Sequence, residues 1–121
     1  MKNFRQFEAG PDPFGRTWQV EFKWMQTAIS LRHSDSVDVK FLLRTGDEVT
    51  QKTIALMLPD LLELSRKSGQ PVTDAWCSRL AAMHLRHMIE TGEDLDKDLI
   101  TLSSEQMAAY NARLTSERNA A

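Results

Sequence analysis

His84 and His87 stand three residues apart in a stretch, Thr73 to Gly92, whose apolar spacing and end signals predict one long helix. Histidines at i and i+3 leave the same side of a helix, so both imidazoles can reach a single ion such as zinc. A helical wheel sets them on the apolar side with Trp76, Cys77, Leu80 and Met88. Cys77 precedes His84 by two turns, about 10 Å along the axis, too far for one ion or for a nucleophile–base hydrogen bond. A metal-dependent enzyme would need a third ligand from elsewhere, such as His33 or an acidic side chain. Histidines at the margin of a core, hydrogen-bonded to backbone or water, are the plainer reading. Cys77 then reads as a small core residue.

A second group lies just beyond. Asp94, Asp96 and Asp98 fall at positions 1, 3 and 5 of a calcium loop, with Glu105 at position 12, between two predicted helices. Leu99 occupies position 6, where the sharp turn demands glycine, and Thr101 stands at position 8, where an apolar residue is usual. That is a steric objection to the coordination geometry, so no metal and no cofactor are expected.

The third group is aromatic. Trp18, Phe22 and Trp24 alternate with polar residues from Thr17 to Lys23, the mark of a half-buried strand. Such a stripe can stack bases on an open sheet, but three helices in need of a partner favour core packing. No phosphate-cradling glycine loop, CxxC pair or G-x-S-x-G occurs.

These residues need elements to hold them. Gly10-Pro11-Asp12-Pro13-Phe14-Gly15 is turn chemistry that separates an N-terminal arm, residues 1–15, from the aromatic strand. Apolar parity then switches from even to odd, so a bulge or tight turn is expected at Met25–Ala28. A short connection at His33–Val37 leads into Val37, Val39, Phe41 and Leu43, predicting Leu31 opposite Val39, Ile29 opposite Phe41 and Arg32 beside Asp38. A reversal at Thr45–Glu48 pairs Val39 with Ile54 and Val37 with Leu56, which makes Val49–Leu58 a strand rather than a helix. Asp60 with Glu63 reads as a capping box and Ser68-Gly69 as a stop. Thr73 or Asp74 caps the long helix, Leu99–Leu102 is a short extended piece, and Ser103 or Ser104 caps a last helix carrying Met107, Tyr110 and Leu114. Residues 116–121 should fray.

With 41% hydrophobic and 26% charged residues, a chain of 121 residues fits one globular domain, 1–121, able to bury a core without metal or disulfide. One cysteine and no apolar run near the start point to the cytoplasm. The formal charge is −2, and neither half is a basic block: eight Lys and Arg face seven Asp and Glu up to Met57, then seven face ten. Nucleic acid is thereby disfavoured as a partner.

The expected fold is α+β: an antiparallel meander of three or four strands followed by about three helices on one face, with Trp18, Phe22 and Trp24 beneath the Trp76–Leu80 helix. The expected function is a small non-catalytic binding or regulatory module that takes a protein or small-molecule ligand. A homodimer is expected, because sheet edges call for cover and the arm with Phe4 and Phe7 reaches only one of them. It would form through a sheet edge or the last helix around Met107, Tyr110 and Leu114, unless Arg32, Lys40 and Lys52 guard the sheet by charge. The alternatives are a metal-dependent enzyme using His84 and His87, and an RNA-binding sheet using Trp18, Phe22 and Trp24.

Overall fold

In the computed structural model, which describes residues 4–28 and 35–119, the turn signals set out a chain of strands before helices. The elements are β1 (Gln6–Ala9), β2 (Trp18–Ala28), β3 (Ser36–Thr45), β4 (Glu48–Met57), α1 (Leu58–Ser68), α2 (Asp74–Thr91), β5 (Leu99–Leu102) and α3 (Ser104–Asn119). The strands form one sheet in the order β1-β2-β3-β4-β5, antiparallel through β4, with β5 parallel to β4. This is the α+β meander with helices on one face, enlarged by a short strand at each edge. The N-terminal arm supplies β1, which pairs with β2. At the far edge, which was expected to lie bare, β5 covers β4. A parallel partner requires a crossover, and α1 and α2 together provide it.

The β3–β4 hairpin has the expected register, Val39 opposite Ile54 and Val37 opposite Leu56. Its turn places Gly46 at φ +54 in the first central position, where glycine carries no Cβ penalty. The β2–β3 hairpin differs. The parity switch lies between Phe22 and Trp24, not at Met25–Ala28, because Phe22 faces Phe41 while Trp24 faces Lys40. Lys23 is the extra residue of a bulge, which moves every later side chain of β2 to the opposite face. Met25 therefore sits opposite Val39, and Gln26 opposite Asp38, in the places assigned to Leu31 and Arg32. Residues 29–34, with Ile29, Leu31, Arg32 and His33, lie outside the described residues.

Helix α2 lies across β1 to β4, and α3 packs on α1 and α2. Trp18, Val20, Val39, Phe41, Ile54 and Leu56 meet Trp76, Leu80, Leu85 and Met88 in one core. Phe22 is half-buried against it. Trp24 is not in it: the bulge turns it to the open face, 39% exposed, with the Lys40 ammonium 5.4 Å from the ring centre. Met107 and Tyr110 are buried and Leu114 half-buried, so these side chains of α3 serve the core.

Local end signals were mostly obeyed. Thr73 accepts a hydrogen bond from Trp76 N–H at 3.2 Å, and Ser103 and Gln106 form a reciprocal capping box. Helices α1 and α2 end at Gly69 and Gly92, both left-handed. The Asp60–Glu63 box does not form. The N-cap of α1 is Met57, three residues before Asp60, and Pro59 occupies an early position whose N–H would lack a partner anyway. Helix α3 runs to Asn119, into the tail expected to fray.

Candidate functional site

The long helix holds His84 buried at the α2–α3 contact, where its Nδ1 and the Tyr110 hydroxyl share a hydrogen bond of 2.8 Å. Burial and the neighbouring His87 lower the His84 pKa below its ordinary value, against the pull of Glu93 and Asp94. The same burial raises that of Tyr110. His87 lies at the surface with Nε2 3.1 Å from Glu93, its ring centre 6.1 Å from that of His84. The helix thus brings the two histidines together, and Glu93 is the acidic neighbour. Even so, among the described residues no three His, Cys, Asp or Glu side chains gather closely enough to hold one ion. Cys77 is buried two turns away, and burial with Asp74 nearby pushes its thiol up to about 11, away from the reactive thiolate.

The acidic loop is organised around a cation of the chain's own. Lys52 lies on the inward side of β4, in alternation with Ile54 and Leu56, and is 3% exposed. Its ammonium donates to the carbonyls of Leu95 at 2.8 Å and Lys97 at 2.6 Å. Burial lowers its pKa, while Asp98 and Asp96 work in the other direction. Asp94 adopts φ +55 and pairs with Lys97 at 3.2 Å, and the Asp98 carbonyl accepts from Thr53 N–H at 2.7 Å. Glu105 sits in the first turn of α3, with β5 between it and the aspartates. The loop between α2 and β5 is therefore a clasp for Lys52, which is not free to guard the open sheet by charge, the alternative to a dimer. The signal was available: Lys52 shares parity with Ile54 and Leu56, which demands a buried partner for its charge.

Asp12 is a functional-looking carboxylate that the reading of Gly10–Gly15 as turn chemistry passed over. Buried between two prolines, it accepts from the N–H groups of Phe14 and Arg16, from Arg16 Nε and from Trp18 Nε1, all within 3.0 Å. Burial opposes its charge, but these donors, Trp18 foremost, outweigh that and hold its pKa at about 2. Arg16 lies over Phe14 and Trp18 and bridges to Glu48 at 2.8 Å. Every acceptor role of Asp12 is thus spent on fixing the loop to β2, which leaves a structural hub. Its signal was an aspartate two residues before the N–H it accepts from, the pattern of an Asx turn.

The remaining surface with chemistry is the sheet face that no helix covers. One cross-strand row on it runs Trp24, Lys40, Thr53, Leu99, and the next runs Gln26, Asp38, Ala55, Thr101. Trp24, Val49 and Leu99 are exposed apolar side chains there. Glu8, Glu21 and Asp38 share the face with Lys40 and Arg44, three carboxylates to two cations. A hollow of about 330 Å³ lies at Lys40, Thr50, Gln51, Thr53 and Asp98, within the size range of small-ligand sites. The groove beside His87, lined by Arg86, Glu90 and Arg113, measures about 160 Å³. Since Trp18 and Phe22 point inward, the three aromatics do not make one stacking platform. Among the described residues no helix is long and apolar enough to cross a membrane. No protein family, curated protein or solved structure matches this chain.

Proposed function

We propose that the protein is a small non-catalytic binding module, working as a homodimer, that takes its partner on the open face of the sheet around Trp24 and Lys40. The observation that carries this reading is the bulge at Lys23. Without the extra residue Trp24 would continue the inward stripe of Trp18 and Val20; with it, a large aromatic is held at the surface on a rigid strand. Rigid aromatic anchors of this kind dominate binding energy at interfaces. The buried titratable groups point the same way: Asp12, Lys52 and the Nδ1 of His84 are each engaged by the fold itself. A partner with both apolar and mixed polar character fits a face that carries charges of both signs. A reducing compartment such as the cytoplasm suits a module whose one cysteine is buried and unpaired.

The test compares wild type with Trp24→Ala on a surface exposed to extract from the producing cell, both proteins first shown by circular dichroism to be folded at the temperature of the assay. A partner retained by wild type and lost by the variant supports the reading; equal retention, or none, defeats it. Elemental analysis showing stoichiometric metal that disappears in His84→Gln would favour the metal-dependent enzyme instead. Quenching of tryptophan fluorescence by short RNA, lost at high salt, would favour the RNA-binding sheet.

A further inference from the structure

We infer that two copies of the chain join their sheets antiparallel, β5 against β5, about a twofold axis at Ile100. The inference rests on the homodimer reading above and names its interface. It begins with one hydrogen bond: Thr53 N–H donates to the Asp98 carbonyl, while Thr53 stands opposite Leu99. In a parallel ladder of that phase, the N–H and C=O of Ile100 both turn toward β4. The N–H and C=O of Leu99 and Thr101 therefore turn away from it, and no strand pairs with that edge among the described residues.

Those outward groups are symmetric about Ile100. In an antiparallel pairing Leu99 meets the partner's Thr101 and exchanges both backbone bonds with it, and the twofold axis repeats the exchange. Each outward donor and acceptor of the edge finds a mate, with no shift of the β4–β5 ladder. Leu99, 59% exposed, would then lie against the partner's Thr101 on the open face. Asp98 would lie opposite the partner's Leu102, which keeps the two aspartates at opposite ends of the pair.

The two edges of the sheet differ in the way that matters for association. Strand β1 carries Glu8 and follows Arg5, charges that resist a second strand. Strand β5 reads Leu-Ile-Thr-Leu, without charge or proline. Joining there also sets both open faces on the same side of one continuous sheet. The two Trp24 rings would stand seven strand spacings apart, roughly 33 Å, so the recognition face becomes bivalent.

Sedimentation equilibrium from about 5 to 300 μM tests the interface. Wild type is expected to reach twice the 13.8 kDa chain mass. Thr101→Pro removes an outward N–H that β4 does not use, and proline is tolerated at such edge positions. It is expected to halve the mass to that of the monomer while the far-UV circular dichroism stays that of the folded chain. Leu99→Lys, on an exposed side chain, is expected to do the same and decides the matter if the proline variant does not fold. Trp24→Ala should remain dimeric. A wild-type mass of 13.8 kDa throughout overturns both the homodimer and its interface. A dimeric wild type whose Leu99→Lys and folded Thr101→Pro variants stay dimeric overturns the β5 edge alone.

Discussion

Trp18 and Trp24 belong to the same sequence stripe, yet their replacement by alanine should have very different consequences. Trp18 is 5% exposed, packed in the core, and donates from Nε1 to Asp12 at 3.0 Å. Its removal loses the transfer energy of a large ring and leaves a cavity that the sheet and α2 can only partly close, together about 3–5 kcal/mol. It also takes from Asp12 one of its donors, so the N-terminal loop should loosen as well. Trp24 stands on the open face, where its removal leaves no enclosed cavity. What it loses is partial cover of the sheet and the contact with Lys40 at 5.4 Å, about 1–2 kcal/mol in all. Urea denaturation of both variants at neutral pH, followed by far-UV circular dichroism, measures the two costs with one protocol. Equal costs would refute the bulge at Lys23, because only a continuous stripe makes both tryptophans core residues. A cost for Trp24→Ala above that for Trp18→Ala would also defeat the assignment of the inward face.

Other perturbations follow from the same contacts. Lys52→Met keeps the buried stem but removes two charge-assisted hydrogen bonds to Leu95 and Lys97. It should cost about 2–4 kcal/mol after water partly replaces them, and amide exchange in residues 94–99 should rise; stability within about 0.5 kcal/mol of wild type would contradict the clasp. Calcium in large excess should leave the melting temperature unchanged, since the ammonium of Lys52 already occupies those carbonyls, and a rise reversed by chelator would restore the calcium-loop reading. For His84, the lowered pKa means that the unfolded chain takes up a proton that the folded chain resists as pH falls through 6.5. Stability is therefore expected to decline from that point downward, and His84→Gln, which cannot titrate, should flatten the slope. An identical slope in the variant would show that other groups carry the pH dependence.

The division between what was legible and what was not follows the range of the forces involved. The β3–β4 register, the caps at Thr73 and Ser103 and the stops at Gly69 and Gly92 depend on residues within a turn of one another. Backbone geometry and a few neighbouring side chains specify them, so the sequence by itself determined them. The alternation of Val37, Val39, Phe41 and Leu43 likewise identified the inward face, since burying one side of a pleated strand forbids any other phase. The place of the bulge could not be read, because either Lys23 or a residue after Trp24 restores the same later parity; pairing with β3 chose between them. That choice carried Trp24 from the core to the candidate recognition face. The addition of β5 to β4, the burial of Lys52 against the carbonyls of Leu95 and Lys97, and the meeting of His84 with Tyr110 all join residues far apart in the chain. Their partners become neighbours only when the helices close over the sheet, so only the tertiary structure could turn an acidic loop into a lysine clasp.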